Sequence, residues 1–282
     1  MKGNLKKYIK EIFNALKRRE MAILPGNLSF FLVLSLIPLI TLLVYFASLF
    51  SISIENVIDL LNKVLPEDFA IIVADIISGK GFDGSVGTFV IIAIMVATNG
   101  TYALIKVSNS LYNFDDTQEL KDRIKALMIL FVIIMLFLFL LIVPIFGNQI
   151  LGIIKNVDGL SKLISNIEFI FNIIKWPFTF LIIYFNVKLI YCMSPSHKIK
   201  SYTTTYGALL TTILWIVATY IFSYYLKHFA RYDILYGNLS SIIILMIWIY
   251  MLCYIFVLGI AINSTRYHNI LKNDNTNEWI HK

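Results

Sequence analysis

The sequence predicts an all-α membrane protein, a polytopic bundle of six transmembrane helices with amphipathic helices at the membrane interface. Hydrophobic residues make up 59% of the 282 residues and charged residues only 15%, whereas soluble domains are about 45–50% apolar and about 25% charged. The mean hydropathy of +0.78 agrees with this. A soluble fold could not bury so much apolar surface, so lipid is the expected solvent for most of the chain.

Six apolar stretches are long enough to cross the membrane, since about 20 helical residues span about 30 Å of hydrocarbon. The predicted spans are 28–50, 86–106, 126–146, 169–193, 203–226 and 239–263. Lys175 and Lys188 shorten the uncharged core of the fourth span. Lysines near helix ends reach the headgroups, which keeps that assignment. Residues 28–263 therefore form the predicted transmembrane domain.

The basic residues predict the orientation of the bundle. They concentrate in the amino-terminal segment, between spans two and three, between spans four and five, and in the tail. With six spans these segments share one side, and Lys and Arg mark the cytoplasmic side. Both termini are therefore expected in the cytoplasm, with the chain in the plasma (inner) membrane. No small-residue cleavage site follows the first apolar run, so we expect a permanent helix there.

Three segments flank or interrupt the spans. Residues 1–27 form a basic segment in which apolar residues recur at i, i+3 and i+4 between lysines. This pattern predicts an amphipathic helix that either anchors at the cytoplasmic interface or binds a partner. The loop 51–85 carries two apolar stripes separated by Pro66, which predicts two short outer helices that cap a cavity or cover the bundle. Residues 264–282 form the predicted cytoplasmic tail.

Some polar or helix-breaking residues within the spans are candidates for a polar path. Pro38 has no N–H and leaves a carbonyl near Ser35 without its helical donor, which also predicts a kink. The Asn99-Gly100 pair either opens its helix beside a polar path, as in transporters, or serves helix packing with Asn99 bonded to a neighbour. Asn186 is a further polar residue, in the fourth span.

Two basic residues lie at predicted membrane boundaries, Lys188 and Arg231. Each either contacts an anionic lipid headgroup or extends its charge into water. A net charge of +7 is explained by cytoplasmic loops facing an anionic bilayer. The expected partners are therefore membrane lipids with anionic headgroups, and no nucleic acid.

No catalytic, cofactor or metal site is apparent in the sequence. The predicted spans contain no Asp or Glu, although proton-coupled carriers usually hold a carboxylate inside the membrane. The four histidines lack the spacing of metal ligands, and Cys192 and Cys253 form no C-x-x-C motif. We therefore expect a protein that is not an enzyme and takes no cofactor.

Several motifs resemble those of the YihY/BrkB family of bacterial inner-membrane proteins. The first span reads LSFFLVLSLIPLITLL, and the second ends in ALIKVSNSLYN. The residues that match in order and spacing include Asn109, Tyr112, Tyr191, Pro195, Gly207, Trp215, Tyr236, Gly237, Trp248, Gly259 and Asn263. The resemblance implies structural roles for them. One departure is Ala261, where the family commonly carries an acidic residue.

The resemblance implies a six-spanning inner-membrane protein connected with envelope integrity, serum resistance or lipid-related transport. The founding member was once labelled ribonuclease BN, but a nuclease needs paired carboxylates with metal, or a histidine pair, and neither is visible here. Two functions remain. One is a transporter or flippase-like protein for an envelope lipid or other amphiphile. The other is a non-transporting scaffold in envelope integrity, as a homo-oligomer or within an envelope complex.

Overall fold

A computed structural model of the chain describes residues 10–49, 86–114, 119–135, 177–178, 180–228, 232 and 236–280. These residues form α-helices and one 3₁₀ turn, with no strand among them, so the all-α prediction is confirmed for this part of the chain. In order, the helices are α1 Lys10–Leu16, α2 Glu20–Leu49, α3 Val86–Tyr112, α4 119–135, α5 Phe180–Met193, α6 Ser201–His228 and α7 Ser240–Ile280, with the 3₁₀ turn Gly237–Leu239 before α7.

Three of these helices contain segments long and apolar enough to cross a membrane. The segments are Val90–Tyr112, Ser201–His228 and Ile242–Lys272, and they overlap predicted spans two, five and six. Helices α1 and α2 are bent by 70° relative to each other, and the pair gives a fourth candidate crossing if it is counted as one span. Predicted spans three and four lie partly outside the described residues, and the loop 51–85 lies entirely outside them. The count of six spans stays a prediction.

Two helices extend further than the hydropathy pattern indicates. Helix α2 begins at Glu20 and is helical through both Pro25 and Pro38. Helix α7 has 41 residues, which at 1.5 Å per residue is about 60 Å, roughly twice the hydrocarbon thickness. The residues expected to form a separate tail therefore continue α7, which must project beyond the bilayer if it crosses it.

The carboxyl end of α3 is closed by a Schellman motif. Asn113 has a positive φ of 54°, a conformation that asparagine adopts more readily than most residues. The Phe114 N–H donates to the Asn109 carbonyl at 2.9 Å, and the Asn113 N–H donates to the Ser110 carbonyl at 3.3 Å. These bonds satisfy carbonyls that the helix end leaves open. The Phe114 ring then stacks on Tyr112, with centroids 5.5 Å apart.

Helix α7 is the centre of the described bundle. It packs against α6, α2 and α3, and α2 packs along α3. Every residue from Phe256 to Ser264 is buried. The contact between α6 and α7 depends on two glycines, because a Cβ on Gly207 would meet Asn263 and the Gly259 carbonyl, and a Cβ on Gly259 would meet Tyr191 and Thr211. Small residues that allow such close approach are typical of membrane helix packing.

Side-chain hydrogen bonds join α5 and α6 to α7. The Tyr191 hydroxyl donates to the Phe256 carbonyl at 2.8 Å and lies 2.7 Å from the Thr211 hydroxyl. The Trp215 indole N–H donates to the Leu252 carbonyl at 2.9 Å. Buried polar groups without such partners would weaken a helix bundle in lipid. These bonds therefore fix the three helices relative to one another.

Candidate functional site

A groove of about 200 Å³ lies between α1, α6 and α7. We call it the Arg266 groove, and its lining residues are Glu11, Ile12, Tyr206, Leu209, Leu210, Ile213, Ile262 and Arg266. Helix geometry explains the lining on α6, since positions 206, 209, 210 and 213 recur at i, i+3, i+4 and i+7 and share one face. The wall is mainly apolar, and the charged residues Glu11 and Arg266 lie together in it.

The guanidinium of Arg266 has two described contacts in the groove. It lies over the Tyr206 ring, 3.5 Å from the centroid, a cation–π geometry. Its Nη2 is 3.5 Å from the Glu11 carboxylate, longer than the 2.7–2.9 Å of a strong charge-assisted bond. The Arg266 and Glu11 side chains are 19% and 14% exposed. The groove thus combines an apolar wall with a cation whose ion pair to Glu11 is long.

The turn between α1 and α2 is attached beside the groove. Arg18 donates from Nη2 to the Thr265 hydroxyl at 2.8 Å, one residue before Arg266. On α1, Ala15 is buried, whereas Phe13 and Leu16 are exposed. Of the apolar residues in the amphipathic segment predicted for 1–27, Ile12 lines the groove, and Phe13 and Leu16 are exposed. The first nine residues lie outside the described part of the chain.

A second polar cluster joins α3, α4 and the loop after α5. We call it the Asp122 network, formed by Asn109, Asp122, Lys125, Pro195 and Ser196. The Asp122 carboxylate, 2% exposed, accepts a hydrogen bond from the Ser196 hydroxyl at 2.5 Å. Asn109 donates to the Ser196 hydroxyl at 2.6 Å and accepts from the Ser196 N–H at 2.8 Å. The network closes one end of the bundle with short bonds.

Lys125 completes the Asp122 network by donating to the Pro195 carbonyl. Burial lowers the pKa of the Lys125 ammonium, and the Asp122 carboxylate nearby acts in the opposite direction. Next to the network, the hydroxyls of Ser108 and Ser194 are 2.7 Å apart. Family-motif residues Asn109 and Pro195 thus take part in one structural junction.

Two of the candidate polar-path residues meet at the α2–α3 contact. Gly100 lies against Ser35 so closely that a Cβ there would collide with the Ser35 hydroxyl. The Ser35 hydroxyl donates to the Leu32 carbonyl at 3.1 Å. Pro38 lies within α2 and is half-buried. The contact between Ser35 and Gly100 leaves no space for a path between these two residues.

Asn99 is not at a break in its helix, because α3 is continuous through Asn99 and Gly100. Its side-chain oxygen accepts a hydrogen bond from Arg123 Nη1 of α4 at 2.9 Å. The same guanidinium covers the Tyr102 ring, 3.9 Å from the centroid. This arrangement agrees with the prediction that the Asn99-Gly100 pair serves helix packing. Gly100 allows α2 to approach closely, and Asn99 is hydrogen-bonded to α4.

The remaining candidates are separate from both clusters. Asn186 donates to the Ile182 carbonyl of its own helix at 2.8 Å. The Lys188 ammonium is 5.9 Å from the Tyr184 ring centroid. Arg231 lies outside the described residues. These contacts of Asn186 and Lys188 involve neither the Arg266 groove nor the Asp122 network.

The other motif residues occupy packing or turn positions. Asn263 is fully buried, and its side-chain oxygen accepts from the Gly207 N–H at 2.9 Å. Tyr112 packs edge-on against Tyr267, with centroids 5.6 Å apart. Gly237 has a positive φ of 52° in the turn before α7, while Tyr236 stacks on Tyr232 and Trp248 packs on the core.

The residues just described are among those that carry the resemblance to a known family. The chain matches the family model described as Virulence factor BrkB over residues 12–279. This chain belongs to the Virulence factor BrkB family. The family predicted from the motifs is thereby confirmed. The matched residues include Ile12 and Arg266, which line the groove.

Two of the three similar proteins described next are named as membrane proteins. The BrkB-family chain is 25% identical over 261 residues to the Putative ribonuclease-like protein YfkH of Bacillus subtilis (strain 168). The aligned residues cover 91% of this chain and 94% of that protein. It is 26% identical over 241 residues to a UPF0761 membrane protein of Vibrio campbellii (strain ATCC BAA-1116), 83% and 73% of the two chains. A UPF0761 membrane protein of Coxiella burnetii (strain RSA 493 / Nine Mile phase I) is 31% identical over 102 residues, 33% and 37% of the two chains. No solved structure matches.

Sequence reasoning did not identify Glu11, Asp122 or the groove. Arg266 was counted only among the basic residues of the tail, and Asp122 was not singled out. A usable signal was present at Asp122, since the segment KDRIKA places an acid three residues before Lys125, on the same helix face, at the start of an apolar run. Ala261, the departure from the family acid, is fully buried.

Proposed function

We propose that this BrkB-family protein is a transporter or flippase-like carrier of an amphiphile, such as an envelope lipid, in the bacterial inner membrane. Both termini lie in the cytoplasm in this proposal, as the distribution of Lys and Arg indicates. The observation that carries the proposal is the Arg266 groove, which joins an apolar wall to a cation in one site.

An amphiphile requires both chemistries at once. Its acyl portion gains by contact with apolar residues such as Leu209 and Ile213, which are 40% and 46% exposed. Its polar head needs a bonding partner wherever water is scarce. Arg266, at the end of the apolar wall, is such a partner. The pairing of these features in one groove fits a lipid better than a purely polar solute.

The size of the groove limits what it holds. Pockets for drug-sized molecules usually measure about 300–1,000 Å³, and this groove measures about 200 Å³. A lipid would therefore place its headgroup region and the start of an acyl chain in the groove, with the rest of the chain in the surrounding bilayer. Such partial enclosure suits a carrier, because the molecule can leave as readily as it enters.

The test is movement of fluorescent lipid in proteoliposomes, read by chemical quenching of the outer leaflet. Ile213→Trp fills the groove and should slow lipid movement by about tenfold, which corresponds to about 1.4 kcal/mol in the barrier. Ile216→Trp is the matched control, since Ile216 is 43% exposed on the same helix and does not line the groove. Wild-type vesicles that move no lipid or other amphiphile would refute transport.

The scaffold alternative also has an observation in its favour. Helix α6 exposes large apolar side chains over much of its length, including Ile216, Val217, Tyr220, Ile221 and Tyr224. Apolar surface of this kind contacts either lipid or another protein. Crosslinking from Tyr220 to one partner or to a second copy, together with an absence of lipid movement, would favour the scaffold over the carrier.

We further propose that the chain is not an enzyme, although one relative has a ribonuclease-like name. The support comes from the bonding of its buried polar groups. Among the residues for which side chains are described, no three His, Cys, Asp or Glu side chains converge as metal ligands would, and Asp122 is bonded within a structural junction. Metal-dependent cleavage of labelled RNA by purified protein, abolished by Asp122→Asn, would overturn this part of the proposal.

A further inference from the structure

We infer that the Arg266 groove binds the phosphate of an anionic lipid headgroup, and that Glu11 is an internal counter-anion which this phosphate replaces. The inference rests on the proposed function and names the class of lipid that the same site takes. It assigns opposite roles to two residues in one ion pair, which makes it open to a direct test.

The chemistry of the cation in the groove favours a phosphate. Arg266 lines the groove, and Arg18 is bonded to Thr265, the residue before it. A guanidinium presents paired N–H donors that match two oxygens of a phosphate. Arg266 therefore offers a headgroup phosphate the donors that it needs.

The ion pair in the groove is exchangeable by its geometry. The Arg266 Nη2 and the Glu11 carboxylate are 3.5 Å apart, beyond the distance of a strong charge-assisted bond. Both side chains keep some exposure to solvent, so the pair contributes little to stability. An anion that enters the groove can therefore displace Glu11 from the guanidinium. One anion therefore exchanges for another.

Glu11 is placed to respond to that exchange because it belongs to α1. This helix is short and bent by 70° from α2, and it covers one side of the groove with Glu11 and Ile12. The bond from Arg18 to Thr265 attaches the α1–α2 turn to α7. Displacement of Glu11 by a headgroup would thus loosen the helix that covers the groove while the turn stays attached.

The apolar wall identifies the source of the phosphate as a lipid. Leu209, Ile213 and Ile262 continue from Arg266 along the groove, and a free phosphate ion would gain nothing from them. An acyl chain attached to the phosphate would bury them. The two sources can be separated by experiment, because only the lipid should show strong binding at low concentration.

The experiment measures binding to the purified full-length chain in neutral detergent. The probes are dioctanoyl phosphatidylglycerol, dioctanoyl phosphatidylcholine and inorganic phosphate, titrated against wild type, Glu11→Gln, Arg266→Gln and Arg266→Lys. Glu11→Gln should bind phosphatidylglycerol several-fold more tightly, because the internal competitor is gone. Arg266→Gln should bind it about tenfold more weakly, with Arg266→Lys in between. Glu20→Gln is the control and should match wild type.

The outcomes separate this inference from the proposed function. Weaker or unchanged binding by Glu11→Gln, equal binding of phosphatidylcholine, or equal binding of inorganic phosphate would each overturn the headgroup site. Lipid movement that persists despite such a result would leave the carrier in place. Opposite effects of Glu11→Gln and Arg266→Gln on phosphatidylglycerol binding, without any lipid movement, would support the site and refute the transport. Thermal unfolding of each variant identifies any that does not fold. If Arg266→Gln does not fold, the binding of phosphatidylglycerol by Arg266→Lys and by Glu11→Gln decides the test.

Discussion

The Asp122 network and the Arg266 groove each bring an acid and a base together, but their bonding differs. In the network, the carboxylate is 2% exposed and accepts a bond of 2.5 Å from Ser196. In the groove, the carboxylate of Glu11 is 14% exposed and 3.5 Å from Arg266. Short bonds among several partners hold helices in place. A long ion pair beside an open apolar wall is suited to exchange its anion for a ligand.

This contrast assigns stability to the network and ligand binding to the groove. A buried carboxylate that loses its partners has nowhere to find water, so its bonds are costly to break. A partly covered ion pair contributes little to stability because solvent competes with it. We therefore expect mutations in the network to lower stability and mutations in the groove to change ligand binding. One change in each region tests this division, and two changes at the packing of α5, α6 and α7 lie between them in expected effect.

The largest effect is expected for Asp122→Ala. The change leaves the Ser196 hydroxyl, the Asn109 amide and the Lys125 ammonium with fewer partners, and should lower the free energy of unfolding by about 3 kcal/mol. Reversible denaturation in mixed micelles measures it. Glu119→Ala, at an exposed position on the same helix, is the control and should change stability by less than about 0.5 kcal/mol. Equal effects of the two changes would mean that the network is not a structural junction.

The next effect is expected for Gly259→Ala. The added Cβ would collide with the Tyr191 hydroxyl and Thr211, and overpacking of this kind costs about 1–3 kcal/mol. Gly26→Ala is the matched control, since nothing lies within 4 Å of a Cβ there. Because alanine favours helix over glycine, the control should be neutral or up to about 1 kcal/mol more stable. A stable Gly259→Ala protein would contradict the close packing of α6 and α7.

A smaller effect is expected for Tyr191→Phe. The phenyl ring keeps its packing, but the bonds to Thr211 and to the Phe256 carbonyl are lost. Hydrogen bonds between membrane helices contribute about 0.6–2 kcal/mol, so a loss of about 1 kcal/mol is expected. Tyr220→Phe serves for comparison, because Tyr220 is 75% exposed. A larger loss for Tyr220→Phe would point to a partner on the exposed face of α6.

The smallest effect on stability is expected for Glu11→Gln. The amide keeps the size of the side chain and removes a charge whose ion pair is long, so the free energy of unfolding should change by less than about 1 kcal/mol. The same variant should bind phosphatidylglycerol more tightly than wild type. A loss of stability as large as that of Asp122→Ala would make the groove a second structural junction and remove the contrast between the regions.

Much of the helix placement could be predicted because hydropathy is a local property of the chain. Apolar runs mark where a helix lies in lipid, and helices α3, α6 and α7 overlap predicted spans two, five and six. The helix boundaries were predicted less accurately than the helices themselves, because α2 begins at Glu20 and α7 continues to Ile280, both beyond the predicted spans. Polar residues at a helix end do not mark a break when the helix can project into water.

Membrane helices and membership of the BrkB family can be read from the amino-acid order, because composition, run length and motif spacing are properties of one chain. The contacts of Ser35 with Gly100 and of Glu11 with Arg266, 255 residues away, become visible once the helices are packed. Which faces of two helices meet depends on their rotation and crossing angle. Those quantities arise from packing among all the helices, and no local pattern encodes them.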